Sequence, residues 1–152
     1  MDGDRTPSAR ARTVTLALLV AYLVGLTRVT LWPRLGTEDP FGVVRTTLAW
    51  LNAHSVPLTY EVTELVANIV LFVPFGILVA LLLPRRPAWT VIGLGLATSA
   101  VIELTQLVFL PDRVADVRDL VANTLGAAVG VALRHVAGRR SGARRPAPAA
   151  IG

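Results

Sequence analysis

Apolar residues run through this chain in four long blocks separated by short polar stretches. The blocks are too continuous to read as half-buried strands, which alternate apolar and polar positions. A helix of about 20 apolar residues crosses the hydrocarbon core of a bilayer. The pattern therefore predicts membrane-crossing helices over 13–32, 62–83, 88–110 and 119–136. Pro33 closes the first block, Arg28 and Trp32 suit a membrane boundary, and the run lacks a small-x-small cleavage site, so it reads as an uncleaved span. Between the first two blocks, Asp39-Pro40 is a helix-start signal, a capping residue followed by proline. Phe41, Val44, Leu48 and Leu51 then recur at helical spacing. A short amphipathic helix on the membrane surface fits that spacing, with Trp50 near the headgroups; a re-entrant or packed loop fits nearly as well. Pro74, inside the second block, removes a backbone donor and predicts a kink. The expected architecture is all-α: an integral membrane bundle of four transmembrane helices over 13–137, with a short amphipathic interfacial helix between the first two. A cytoplasmic N-terminal segment over 1–12 and a flexible cytoplasmic tail over 138–152 flank it.

Composition sharpens this picture. The 152 residues are 53% hydrophobic and only 16% charged, too apolar for an ordinary soluble domain and too few for several domains. With no cysteine there is no disulfide framework, thiolate chemistry or cysteine metal site. The net charge of +5 comes from arginine, because the chain has no lysine. Arg5, Arg10, Arg12, Arg85, Arg86, Arg134, Arg139, Arg140, Arg144 and Arg145 fall on one side of a four-span chain. The positive-inside rule places that side, with both termini, in the cytoplasm of a plasma membrane. Membrane lipids, anionic ones included, are thus the expected partners of the basic balance. Nucleic acid is not, since aromatics at 6% offer no stacking platform.

The polar residues inside the blocks carry the candidate chemistry. A charged group at the centre of a membrane helix costs on the order of 2.5–3.5 kcal/mol to insert, so each one needs a reason. With four spans, Arg28, Glu64-Asn68, Glu103-Gln106 and Asp119-Asn123 all fall in the outer halves of their helices. Glu64 and Asn68, Glu103 and Gln106, and Asp119 and Asn123 are three or four residues apart, so each pair shares one helical face. Asp116 stacks on the face of Asp119 if it joins the fourth helix, and Arg113 lies just before it. The expectation is an outward-facing polar pocket with Glu64, Glu103 and Asp119 as acids and Arg28 or Arg113 as counter-ions. Hydrogen bonds and ion pairs that merely hold the bundle together, usually worth less than about 1–2 kcal/mol each, are the bland alternative. His54 and His135 have no metal-ligand company, and the residue set calls for no metal and no cofactor. Gly126-Ala-Ala-Val-Gly130 is a small-x-x-x-small pattern that admits another helix closely and suits a homo-oligomer through that face.

Three ordered motifs carry a resemblance. They are Glu64-x3-Asn68-x3-Phe72-x-Pro74-Phe75-Gly76; Ser99-x3-Glu103-x2-Gln106; and Arg113-x2-Asp116-x2-Asp119-x3-Asn123-Thr124-x-Gly126-Ala127. Together with Pro40-Phe41 they resemble the VanZ-like membrane proteins over roughly 40–130, whereas the first span is similar only in being apolar. The resemblance implies a bacterial cell-envelope protein associated with low-level resistance to the glycopeptide teicoplanin. It also implies a functional pocket at Glu64, Asn68, Glu103, Gln106, Arg113, Asp116, Asp119 and Asn123, to which depth alone adds Arg28. Some relatives carry a phosphotransbutyrylase label, yet this chain has no phosphate-cradling glycine loop. Three functions compete. The first is a non-enzymatic protein whose pocket binds a polar ligand, a lipid headgroup, a lipid-linked envelope precursor or a lipoglycopeptide. The second is a membrane enzyme that acts on a lipid-linked substrate, with Glu103 as general base and a second acid nearby, the catalytic candidates being Glu64, Glu103 and Asp119. The third is a small transporter or channel, against which the apolar inner halves of the spans argue.

Overall fold

A computed structural model describes residues 8–31, 60–109 and 116–143. Four helices follow one another: α1 (Ala9–Leu31), α2 (Tyr60–Leu82), α3 (Ala88–Phe109) and α4 (Val117–Ala143). Each contains a stretch long and apolar enough to cross a membrane. Among the described residues there is no strand. The expected interfacial helix over 39–51, Arg113 and His54 lie outside the described residues.

Local sequence explains where the helices start and stop. Ser8 begins α1, its Oγ accepting from the Ala11 amide at 3.2 Å, so the helix starts before residue 13 and includes Arg10 and Arg12. Pro84 and Pro87 bracket the turn between α2 and α3, closed by the Arg86 amide donating to the Leu83 carbonyl at 3.0 Å. Asp116 caps α4, its Oδ1 accepting from the Arg118 amide at 2.8 Å. At its far end α4 continues past 136 to Ala143, so the segment expected to be a tail from 138 starts as helix. Arginine and alanine favour helix, and Arg140 in its last turn complements the negative end of the helix dipole.

Packing in a bilayer draws little from the hydrophobic effect, because lipid tails are as apolar as leucine; close contact and hydrogen bonds must hold the helices. The tightest seam joins α2 and α4, which run parallel with their N-termini together. A Cβ on Gly126 would lie 2.2 Å from the Ile69 carbonyl oxygen. One turn later, a Cβ on Gly130 would lie 2.3 Å from the Val73 carbonyl oxygen. The seam is reciprocal, for a Cβ on Gly76 would lie 2.1 Å from the Ala127 carbonyl oxygen. Only glycine lets the backbones meet this closely. The Gly126–Gly130 face, which the sequence offers to a second copy, packs here against the chain's own α2.

The core beside this seam contains Phe72, Phe75, Val79, Val91, Ala127 and Val131, with Leu26 contributed by α1. The rings of Phe72 and Phe75 stand 5.8 Å apart in a tilted pair. α2 is assigned as one helix through Pro74, although the proline leaves the Val70 carbonyl without its helical donor. Beside that break, the Tyr22 hydroxyl of α1 donates to the Leu71 carbonyl at 2.8 Å.

Candidate functional site

Four helix ends converge at one end of the bundle: the C-termini of α1 and α3 and the N-termini of α2 and α4. Hydrogen bonds between helices tie them. The Asn68 side chain on α2 donates to Asp119 Oδ1 on α4 at 2.6 Å. The Asn123 side chain on α4 donates to Ser99 Oγ on α3 at 2.8 Å. The Gln106 side chain on α3 donates to the Thr30 carbonyl of α1 at 2.8 Å. Asn68, Gln106 and Asn123 thus stand where three helix pairs meet.

The helix registers position the charged residues at the same depth. α3 and α4 are antiparallel, with Gly95 against Ala127 and Ser99 against Asn123. One further turn in that register brings Glu103 level with Asp119. The parallel α2–α4 seam, with Asn68 on Asp119, puts Glu64 within about a turn of that level. Tyr22 against Leu71 and Thr30 against Gln106 place Arg28 between the levels of Glu64 and Glu103. Every acid among the described residues (Glu61, Glu64, Glu103, Asp116 and Asp119) therefore belongs to this end.

Burial separates these residues into two groups. Ser99, Glu103, Gln106 and Asn123 are 0%, 7%, 4% and 6% exposed, the buried polar set of the described residues. Ser99, Glu103 and Gln106 continue the stripe begun by Val91 and Gly95, so α3 has one inward face that turns from apolar to polar along its length. Glu61 and Arg118 form an exposed ion pair at 3.6 Å on the rim. Asp116 is exposed and its carboxylate caps α4, which gives it a structural role outside the buried set. Arg28 is exposed, while Glu64, Asn68 and Asp119 are half-buried between the two groups.

One buried atom stands out. Asn123 Oδ1 is buried with no hydrogen-bond partner among the described residues, although its amide nitrogen is satisfied by Ser99. Leaving such an acceptor unsatisfied costs roughly 1–3 kcal/mol. The cluster thus gathers amides already tied between helices, carboxylates and one buried acceptor without a partner among the described residues. Among the described residues no group of three His, Cys, Asp or Glu stands together in a way that could hold a metal.

Sequence reasoning named the amides and acids but not every partner they use. Ser99 stood in a motif without a role, and the Thr30 carbonyl had no side-chain signal at all. The four-residue spacing of Ser99 and Glu103 was the available clue, since it puts both on one face.

A family model described as VanZ/LLP1 matches residues 13–138, most of the chain. No curated protein and no solved structure matches.

Proposed function

For a chain that belongs to the VanZ/LLP1 family and has four helices apolar enough to make it a multi-pass membrane protein, we propose that the acidic end of the bundle is an outward-facing binding site. It lies in the outer leaflet of a bacterial plasma membrane, with both termini in the cytoplasm. Its ligand is a polar group presented at the membrane surface: a lipid headgroup, a lipid-linked envelope precursor or a lipoglycopeptide. Occupancy of this site alters the access of teicoplanin to the cell surface.

The observation that carries this reading is the buried Asn123 Oδ1 beside Ser99, which has no partner among the described residues, at the level where α3 turns polar. A purely structural cluster would be expected to satisfy its own acceptors, because buried polar groups nearly always are. The orientation rests on charge. Arg10, Arg12, Arg85, Arg86, Arg134, Arg139 and Arg140 belong to the opposite end of the bundle, which therefore faces the cytoplasm.

The test is complementation of a deletion strain with Glu103→Gln, scored by teicoplanin susceptibility and protein level. Glu103→Gln keeps the shape and removes the charge, so it should abolish complementation at unchanged protein level. If neither deletion nor overexpression altered susceptibility, the link to the glycopeptide would fall. An equal loss of protein would assign Glu103 to the scaffold.

A second reading rests on a separate observation, the register that brings Glu103 level with Asp119. Two carboxyl groups in a water-poor site can hold different protonation states, which general acid–base chemistry on a lipid-linked substrate requires. Purified protein converting such a substrate, with loss of turnover in Asp119→Asn, would favour the enzyme over the binding protein.

A further inference from the structure

The opposite end of the bundle has chemistry of its own. A groove of about 370 Å³ lies between the start of α3 and the last turns of α4, within the size range of roughly 300–1,000 Å³ typical of small-ligand sites. Ala88, Ala128 and Ala132 hollow its walls, and Ile92, Val131 and Val136 make them apolar. His135 and Arg139, one turn apart on α4, supply its polar edge. Trp89, 74% exposed in the first turn of α3, stands next to the groove in the position of an interfacial aromatic.

Charge selects the occupant. Among the described residues this end contains Arg10, Arg12, Arg85, Arg86, Arg134, Arg139 and Arg140 and no acid. The Nε of Arg134, four residues before Gly138, is buried with no acceptor among the described residues. The His135 Nδ1 lies 2.9 Å from the Val131 carbonyl, to which it must donate, so a neutral ring offers Nε2 as an acceptor. The groove therefore combines apolar walls for a hydrocarbon chain, the Arg139 guanidinium for a phosphate and an imidazole acceptor for a hydroxyl.

We infer that this groove is a binding site for one anionic phospholipid, its acyl chain along Ile92, Ala128 and Ala132 and its phosphate on Arg139. A headgroup hydroxyl, as in phosphatidylglycerol, donates to His135 Nε2. Basic grooves between membrane helices recognise anionic headgroups in this way, beyond the diffuse attraction of a basic surface. The site is separate from the acidic end, and its failure would leave the function proposed there untouched.

Fluorescence of Trp89 tests it, in protein with Trp32→Phe and Trp50→Phe reconstituted in phosphatidylcholine vesicles. Brominated phosphatidylglycerol or brominated phosphatidylcholine is titrated in as the quencher. Quenching by the anionic lipid should saturate at a low mole fraction, with an apparent affinity several-fold above that of the zwitterionic lipid. Arg139→Gln should bring that ratio close to one, and so should Ala132→Leu, which fills the groove. Arg10→Gln, which alters the basic end away from the groove, should leave the ratio unchanged. Circular dichroism confirms that each variant keeps its helices, and exposed Arg139→Gln decides the matter if Ala132→Leu does not fold. Equal quenching by the two lipids would overturn the site. An Arg10→Gln effect as large as that of Arg139→Gln would reduce it to diffuse attraction and overturn it too. Shielding of Trp89 that grew with the protein-to-lipid ratio would assign the groove to a second copy of the chain, against the inference.

Discussion

Gly126→Ala is the smallest change that should pull the acidic end apart. The new methyl would lie 2.2 Å from the Ile69 carbonyl oxygen and 2.9 Å from Phe72 Cβ, where ordinary contacts begin at 3.4 Å. A carbonyl inside a helix cannot swing aside as a long side chain can, so α2 and α4 must separate by about 1 Å or distort. Overpacking of this kind costs typically about 1–3 kcal/mol. Alanine's better helix propensity, worth up to about 1 kcal/mol over glycine, acts in the opposite direction and is available at any helical glycine. Gly93→Ala isolates that second effect, since a Cβ at Gly93 meets nothing within 4 Å. Both variants can be compared by equilibrium unfolding in mixed micelles, followed by circular dichroism. Gly126→Ala should lose roughly 1–3 kcal/mol relative to Gly93→Ala. Its Asn68–Asp119 hydrogen bond should be lost with the seam, since both partners ride on the two separated helices. Equal stability of the two variants would show that glycine is not what seats α2 on α4.

Other substitutions probe single links. Ser99→Ala removes the partner of the Asn123 amide nitrogen and leaves both polar atoms of that side chain unsatisfied, so it should destabilise by roughly 1–3 kcal/mol in the same unfolding assay. Tyr22→Phe removes one interhelical hydrogen bond to the Leu71 carbonyl and should cost about 0.6 kcal/mol, at most about 1.7, in denaturant titration. Asp116→Ala removes the α4 cap and should lower stability by about 0.5–2 kcal/mol while complementing a deletion strain as well as wild type. Arg118→Gln breaks an ion pair whose side chains are 67% and 75% exposed, and its unfolding curve should overlay that of wild type.

The spans were legible because each must bury its backbone polarity within one helix, and that constraint writes a long apolar run into the sequence. The acidic end was legible for a related reason. Polar residues are costly in hydrocarbon, so Glu64, Asn68, Glu103, Gln106, Asp119 and Asn123 stand out from their blocks, and span order alone brings them to one side. Pairing was not legible. Gly126 and Gly130 announce that some helix approaches, but the partner is fixed by Gly76, whose own spacing carries no such pattern. The role of Asp116 depended on where α4 begins, a boundary that an acidic residue at either a cap or a pocket satisfies equally well. Helix extends beyond the apolar runs at the start of α1 and the end of α4, because arginine and alanine are good helix formers and continue a helix past the hydrophobic block.

The most direct measurement uses the absence of native cysteine. Single Glu64→Cys, Asp116→Cys and Arg139→Cys variants are exposed in intact cells, and again after permeabilisation, to a thiol reagent that does not cross membranes. An outward acidic end predicts that the first two react in intact cells and that the third reacts only after permeabilisation. The reverse pattern would turn the bundle over in the membrane and take the outward-facing site with it.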